Sequence, residues 1–233
     1  MPLIKRIFAD AAHLFYPHIC TGCGSDLIGS NNLLCSRCIA DLPHTNFEKY
    51  ADNMVERIFR GRLPLRAAHA EFYFSKGQLI QHLIHEIKYN NNKEMGIYLG
   101  EFVGKNLLQC SRFTNLDYII PLPLYQEKEF RRGYNQAEII CNGLAVSMNV
   151  PVMIKNITRK RNTETQTRKH RAQRWENVSG SFNVSDPACL AGKNLLLVDD
   201  VITTGATLEA CAREMLKIPG VSISIAALAI ATK

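Results

Sequence analysis

The stretch LLLVDDVITTGATLEAC constrains the fold of this chain more than any other part of the sequence. Its aliphatic residues Leu195 to Val198 are typical of a strand buried on both faces of a parallel sheet. Asp199 and Asp200 follow at once, and a turn of small residues leads into a helix predicted to begin near Thr207 or Leu208. Because parallel sheets bind ligands beyond the carboxyl ends of their strands, we expect the two acids at the mouth of a site.

From Asp117 onward, predicted strands and helices alternate, which indicates an α/β fold with a mainly parallel sheet. Apolar patterning predicts strands in LDYIIPLP, VPVM, SGSFNV, KNLLLVDD and VSISIAALAIA, and helices in RGYNQAEIICNGLAVSM and TLEACAREMLKIPG. Upstream, it predicts a short helix over 54–59, a strand over 67–74 and helices within 77–91 and over 94–108. The segment after LDYIIPLP, with Lys128, Arg131 and Arg132, is predicted to be a loop.

Four of the eight cysteines form two C-x2-C pairs separated by eleven residues: Cys20, Cys23, Cys35 and Cys38. Four thiolates suit one tetrahedral ion, and zinc is the metal that such a set favours. Disulfides are the alternative, but we expect a reduced chain, which favours the metal. Four protein ligands close the coordination sphere, so the predicted Zn²⁺ is structural rather than catalytic. We assign residues 1–50 to this zinc-binding module and residues 51–233 to a second domain.

Membrane insertion is not expected, because no apolar run approaches the ~18 residues of a membrane span. Asp10 and His13 interrupt the apolar N-terminus, which also lacks a small-residue cleavage site, so a signal peptide is not predicted. These features favour a cytoplasmic location, and they leave the oligomeric state open.

The turn TTGAT is predicted to bind a phosphate group. A helix N-terminus presents free N–H groups and the positive end of its dipole, and Gly205 lets an oxyanion approach the backbone. Thr203, Thr204 and Thr207 add hydroxyl donors, while the acidic pair suits sugar hydroxyls or a hard cation such as Mg²⁺. The plain alternative is a threonine N-cap beside an ordinary strand-end Asp199. The ordered combination of apolar run, acids and turn favours a site for a phosphorylated sugar.

The segment LLLVDDVITTGAT resembles the phosphoribosyl-pyrophosphate motif of the type I phosphoribosyltransferases. The resemblance implies that Asp199 and Asp200 contact the ribose hydroxyls. It implies that the 5′-phosphate is held by Thr203, Thr204, Gly205, Ala206 and Thr207. It further implies that the pyrophosphate, with Mg²⁺, is bound by the loop of Pro121, Leu122, Pro123 and Leu124. Arg132 is a candidate catalytic residue beside that loop, the alternative being an exposed loop charge.

Over nearly its whole length the sequence resembles the ComF family of competence-associated proteins. The motifs that carry this resemblance are the four cysteines, PLPL, RRGYNQAE, RKRNTETQT, KHRAQRWENVSGSFNV and DD-x3-T-G, in that order. The resemblance implies a type I phosphoribosyltransferase fold, a mainly parallel sheet flanked by helices, with a small N-terminal four-cysteine zinc module. It implies binding of phosphoribosyl pyrophosphate, a role in DNA uptake during natural transformation, and pentosyl transfer to an acceptor that the sequence does not name.

A binding protein is the alternative to an enzyme of the glycosyltransferase class. In that hypothesis the chain is a non-catalytic adaptor for single-stranded DNA, and its phosphoribosyl site is sensory or vestigial. Single-stranded DNA and a competence helicase are the partners that the resemblance suggests.

Residues 155–174 contain eight Lys and Arg against one Glu, which equals the whole net charge of +7 of the chain. Such a cluster favours phosphate groups, on a small molecule or on nucleic acid. One use is a mobile hood that closes over the substrate; another is a grip on DNA, with Trp175 and Tyr134 as stacking faces. A solvated loop is the plain alternative. The arginines assigned to this basic loop are Arg159, Arg161, Arg168, Arg171 and Arg174.

Overall fold

The computed structural model describes residues 18–29, 32–160 and 180–232, and a parallel sheet lies at the centre of the fold. The strands are β1 (Leu65–Phe74), β2 (Tyr118–Pro121), β3 (Ile157–Arg159), β4 (Phe182–Val184), β5 (Asn194–Ile202) and β6 (Ser222–Ala231). Four of them form the parallel sheet in the order β1-β6-β5-β2, and β3 and β4 form a separate antiparallel pair. The predicted α/β fold with a mainly parallel sheet is therefore confirmed.

Seven α-helices are described: α1 (Ser36–Ala40), α2 (Met54–Phe59), α3 (Leu79–Tyr89), α4 (Lys93–Leu108), α5 (Gln126–Arg132), α6 (Gln136–Met148) and α7 (Ala206–Met215). The longest of them, α4, has 16 residues. Within the described ranges, none of the helices combines the length and the apolar character that crossing a bilayer requires.

The aliphatic run of β5 is buried because helices cover both faces of the sheet. Leu195 and Leu197 belong to an apolar cluster with residues of α2 and α7. Leu196 and Val198 belong to the opposite cluster, with residues of α3, α4 and α6. Burying each such side chain contributes about 1.5–3 kcal/mol, so this run anchors the strand whose next residues are the two acids.

Helices α4 and α6 pack with their backbones in direct contact. A Cβ added to Gly100 of α4 would collide with the carbonyl oxygen of Ile140, and one added to Gly143 of α6 would collide with that of Ile97. Glycine at both positions therefore permits this close crossing on one face of the sheet.

Two local predictions were wrong. The segment predicted as a loop after β2 contains the helix α5, whose C-cap is Gly133 with a φ of 78°. The run QEKEFRR consists mostly of good helix formers, and this propensity outweighs the loop character that its charges suggest. The strand predicted in VPVM is reduced to a single bridge between Val152 and Ile119.

The cysteine segment packs on the N-terminal end of α3. Its residues Cys20 and Leu34 belong to the same apolar cluster as Leu83 of α3. The His82 side chain of α3 also forms a 2.9 Å hydrogen bond from Nε2 to the carbonyl oxygen of Thr21. The division into residues 1–50 and 51–233 stays a prediction, and the two parts share a continuous core.

Candidate functional site

The acidic pair lies where β5 extends beyond its neighbour β2. Pairing between the two strands ends at Pro121 and Val198, whereas β5 continues beside β6 as far as Ile202. Asp199 and Asp200 are therefore inside β5 rather than after its end. The edge of β5 at the two acids faces the chain that follows β2, which places the predicted PLPL loop next to them.

The TTGAT turn connects β5 to the first turn of α7. Gly205 is the N-cap of this helix with a φ of 72°, and its carbonyl accepts the N–H of Glu209 at 2.8 Å. The helix thus begins at Ala206, close to the predicted start. Thr203 and Thr204 are exposed. Because the first N–H groups of a helix have no intrahelical acceptor, this turn has the geometry in which helix N-termini bind anions.

Helix α2 supports the turn from behind. A Cβ at Gly205 would lie 2.7 Å from Cε1 of Phe59, so the ring is packed against the glycine backbone. Arg62 donates from Nη1 to Oε2 of the buried Glu209 at 2.8 Å, and Arg213 donates to the other carboxylate oxygen at 2.8 Å. Sequence reasoning missed Phe59 and Arg62, since the arginine lies 147 residues from its partner and belongs to no motif.

A lysine that was not predicted binds the second acid. Lys88, near the end of α3, places Nζ 2.8 Å from Oδ2 of Asp200; their side chains are 21% and 15% exposed. Oδ1 of Asp199 accepts the backbone N–H of Asp200 at 2.8 Å. The charge of the acidic pair is therefore partly neutralised by Lys88 of α3. Helix α3 lies on the face of the sheet opposite α2.

The first acid has an unusual protonation equilibrium. Burial and the charge of Asp200 raise the pKa of Asp199 to about 7, although the N–H of Asp200 and the cations Lys88 and Arg159 act in the opposite direction. Near neutral pH the Asp199 carboxyl is thus present in both forms. When protonated it can donate a hydrogen bond to a hydroxyl group, and when ionised it can accept one from a hydroxyl group.

Arg159 is the member of the basic loop that the structure places near the acids. Its guanidinium lies 5.6 Å from the ring centroid of Phe182. Burial lowers the pKa of Arg159, and the charge of Asp199 partly offsets that effect. The remaining basic-loop arginines and Trp175 lie outside the described residues: Arg161, Arg168, Arg171 and Arg174.

Tyr134 is not a stacking face, and this prediction was wrong. Tyr134 is only 8% exposed, and its hydroxyl donates to the carbonyl oxygen of Ile87. Lys93 covers its ring, with Nζ 4.9 Å from the centroid. This aromatic side chain belongs to the core, because its hydroxyl is bound to the end of α3.

The PLPL loop is fixed to the edge of β5. Leu122 donates its N–H to the carbonyl oxygen of Val198 at 2.8 Å, and its own carbonyl accepts Nδ2 of Asn135 at 3.0 Å. Asn135 also caps α6 by accepting the N–H of Ala137 at 3.0 Å. The loop of Pro121 to Leu124 is therefore held between the acidic pair and the beginning of α6.

Arg132 is at the end of α5 and contacts two neighbouring elements. It donates from Nη1 to Oε1 of Gln136 at 2.6 Å, and its guanidinium lies 5.4 Å from the ring centroid of Tyr89. Tyr89 directly follows Lys88 in the sequence. The structure thus brings the end of α5, the PLPL loop and the end of α3 together on one side of the acids.

The four predicted metal ligands form a single cluster. The sulfur atoms of Cys20, Cys23, Cys35 and Cys38 all lie within 4.8 Å of one another. The backbone N–H of Cys35 donates to the sulfur of Cys20 at 3.2 Å, and that of Cys38 donates to the sulfur of Cys35 at 3.5 Å. All four are free thiols, and N–H donors of this kind stabilise thiolate ligands. The cluster fits one tetrahedral ion.

The other four cysteines are separate from this cluster. Cys141 and Cys211 are fully buried, and burial raises the pKa of each thiol. Cys110 and Cys189 are partly exposed. Raised pKa values and burial make Cys141 and Cys211 inert packing residues.

Comparison with known proteins places this geometry in a class. Residues 131–232, which include the acidic pair and the TTGAT turn, match the phosphoribosyl transferase domain family. The chain is 33% identical over 138 residues to the DNA utilization protein YhgH of Escherichia coli O157:H7, covering 58% of this chain and 60% of that protein. It is 33% identical over 112 residues to Competence protein F of Haemophilus influenzae, with coverages of 48% and 49%. It is 34% identical over 101 residues to Competence protein ComFC of Bacillus subtilis, with coverages of 42% and 38%.

The fold and the matched domain thus define a phosphoribosyltransferase-like protein with a four-cysteine cluster near its N-terminus. The matched relatives are a DNA utilization protein and two competence proteins, and the chain is similar to them over 42–58% of its length. The alignments span less than two thirds of the length of each of these relatives.

Proposed function

We propose that the chain binds phosphoribosyl pyrophosphate and acts in DNA uptake during natural transformation. The observation that carries the proposal is the TTGAT turn at the N-terminus of α7, separated from the acidic pair by the last two residues of β5. In this proposal Thr203 to Thr207 hold the 5′-phosphate. Asp199 and Asp200 contact the ribose hydroxyls, and the loop of Pro121 to Leu124 receives the pyrophosphate.

The donor set near the acids fits Mg²⁺ bound together with the substrate. The described residues contain one cluster of three or more His, Cys, Asp and Glu side chains suited to a metal, and it is the four-cysteine cluster. At the sugar site the chain therefore offers the two carboxylates of Asp199 and Asp200. Mg²⁺ is commonly held by one or two carboxylates and by phosphate oxygens of the substrate, so this small set is sufficient. The four thiolates suit a structural Zn²⁺.

Transfer of the phosphoribosyl group would need no strong protein nucleophile. The bond between C1 and pyrophosphate breaks through an oxocarbenium-like state, so the chain has to hold the leaving group, position the acceptor and exclude water. Arg132 at the end of α5 and Arg159 at the end of β3 are the cations that we assign to the leaving-group side. Asp199, with a pKa of about 7, stays hydrogen-bonded to a ribose hydroxyl in either protonation state.

The names of the relatives support the biological part of the proposal. They are called a DNA utilization protein and competence proteins. In our proposal the chain acts on incoming DNA, and single-stranded DNA and a competence helicase are the partners that the sequence resemblance suggests.

Calorimetric titration of phosphoribosyl pyrophosphate with and without Mg²⁺ tests the binding site. Thr203→Ala/Thr204→Ala removes two hydroxyl donors and should weaken binding by about 10-fold or more. Thr114→Ala, which removes a hydroxyl from another exposed loop, is the matched control. Absence of binding to the unaltered protein would contradict the proposal.

A non-catalytic adaptor for single-stranded DNA is the second candidate. It is favoured because the relatives are named for DNA use and competence, and because Lys88 already neutralises Asp200. Pyrophosphate release, assayed with bases, amines and DNA as acceptors, separates the two candidates. An enzyme releases pyrophosphate, and Asp200→Asn abolishes the release; an adaptor binds oligonucleotides with an affinity that falls steeply with salt.

A further inference from the structure

Lys88 has no evident role in docking the helix that carries it. Helix α3 is held on the sheet by four fully or nearly fully buried apolar side chains: Ile80, Leu83, Ile84 and Ile87. The hydroxyl of Tyr134 also donates to the carbonyl oxygen of Ile87, next to the lysine. The apolar face and this hydrogen bond are sufficient to fix the end of α3. The ion pair from Lys88 to Asp200 therefore needs a different explanation.

The ion pair also brings little stability by itself. Both side chains are largely buried, and desolvation of two charges offsets most of their attraction in such a place. The pair holds the ammonium group of a long, flexible side chain beside one of the two carboxylates of the proposed site. A lysine of this kind can move from one anionic partner to another through rotations of its own side chain.

The position of Lys88 relates it to the PLPL loop rather than to the TTGAT turn. The TTGAT turn is supported by α2, on the face of the sheet opposite α3. The PLPL loop leads into α5, whose Arg132 lies over the ring of Tyr89, the neighbour of Lys88. Lys88 and Arg132 thus lie at the same end of α3, on the side that the proposed function assigns to pyrophosphate.

We propose that Lys88 is a substrate-binding residue that selects for the pyrophosphate group. Its ammonium bonds Asp200 until the hydroxyls or the cation of a ligand engage that carboxylate, and it then pairs with pyrophosphate oxygens. This inference rests on the proposed binding of phosphoribosyl pyrophosphate and adds a residue that selects between ligands with and without a pyrophosphate.

Three probes separate this role from a structural one: phosphoribosyl pyrophosphate, ribose 5-phosphate and inorganic pyrophosphate, each titrated calorimetrically. Lys88→Gln should weaken binding of the two pyrophosphate-containing probes by about 10-fold or more, because a charge-assisted contact is lost. Its affinity for ribose 5-phosphate should stay within about 2-fold. Lys88→Arg should retain most of the pyrophosphate affinity. Lys105→Gln, an exposed lysine paired with Glu101, is the control for loss of a charge.

Each other outcome has a definite meaning. Equal weakening for all three probes, or no weakening, overturns the role of Lys88. Binding of ribose 5-phosphate but not of either pyrophosphate probe to the unaltered protein overturns it as well, and leaves a phosphorylated-sugar site in place. Binding of none of the probes overturns the proposed function itself. If Lys88→Gln fails to fold, Lys88→Gln/Asp200→Asn removes the unpaired carboxylate, and its pyrophosphate affinity is compared with that of Asp200→Asn alone: a further loss of about 10-fold supports the role of Lys88, and an equal affinity overturns it.

Discussion

The ring of Phe59 lies against the backbone of Gly205, so close that a Cβ at the glycine would be 2.7 Å from Cε1. The contact joins α2, from the N-terminal half of the chain, to the turn that precedes α7. Together with the bond from Arg62 to Glu209, it fixes the turn from outside residues 131–232. The proposed phosphate site is therefore supported by residues that the matched domain does not include.

Gly205→Ala should destabilise the protein and weaken the proposed site. The φ of 72° is unfavourable for alanine, and the new methyl group meets Phe59, so we expect a loss of about 2–4 kcal/mol. Urea unfolding followed by circular dichroism measures it. Gly77→Ala is the control, since Gly77 has a φ of 81° but no heavy atom within 4 Å of its added Cβ. It should lose about 1–2 kcal/mol. Similar losses for both variants would refute the contact with Phe59.

Gly100→Ala should be strongly destabilising without touching the site. The added methyl group collides with the carbonyl oxygen of Ile140 and would push α4 away from α6. Overpacking of this kind costs about 1–3 kcal/mol, measured by the same urea unfolding. Lys105→Ala on the exposed side of α4 should change stability by less than about 0.5 kcal/mol. An unaffected Gly100→Ala protein would mean that the two helices do not cross so closely.

The four-cysteine cluster should contain about one zinc ion per chain, measured by elemental mass spectrometry. Cys38→Ser should lower the zinc content and the melting temperature together, because binding of a structural metal contributes directly to folding. Cys110→Ser, whose thiol donates to the carbonyl oxygen of Glu48, should leave the zinc content unchanged. Retention of zinc by Cys38→Ser would place the metal elsewhere.

The raised pKa of Asp199 predicts a particular pH dependence of stability. Burial and the charge of Asp200 raise it to about 7 in the folded chain, so the folded state binds more protons than the unfolded state between about pH 4 and pH 7. This residue therefore lowers stability as the pH rises through that window. Asp199→Asn should be more stable than the unaltered protein at pH 8, on the order of 1–2 kcal/mol.

That advantage should shrink toward pH 5, where the natural carboxyl is protonated in the folded state. Parallel urea titrations of the two proteins at pH 5 and pH 8 measure the difference. A gain that is the same at both pH values would mean that Asp199 titrates normally.

The sequence was sufficient for the features that are local. The buried run of β5, the turn before α7 and the four-cysteine spacing each lie within fewer than 20 consecutive residues. Each can therefore be located from its own stretch of sequence. Arg62 and Lys88 were missed because each meets its acidic partner only through the packing of α2 and α3 on opposite faces of the sheet. The charges of QEKEFRR predict an exposed segment, but an exposed segment can be a short helix as readily as a loop. The loop prediction failed for this reason.

The order of the central sheet limits how far this protein can be shortened. Strands β5 and β6 lie in the middle, and both of their outer partners, β1 and β2, precede residue 131. A fragment cut to residues 131–232 would keep the pairing of β5 with β6. The outer edge of each of these two strands, however, would have lost its partner strand. Unprotected edges of this kind recruit other chains, so such a fragment would be prone to aggregation rather than a minimal working unit.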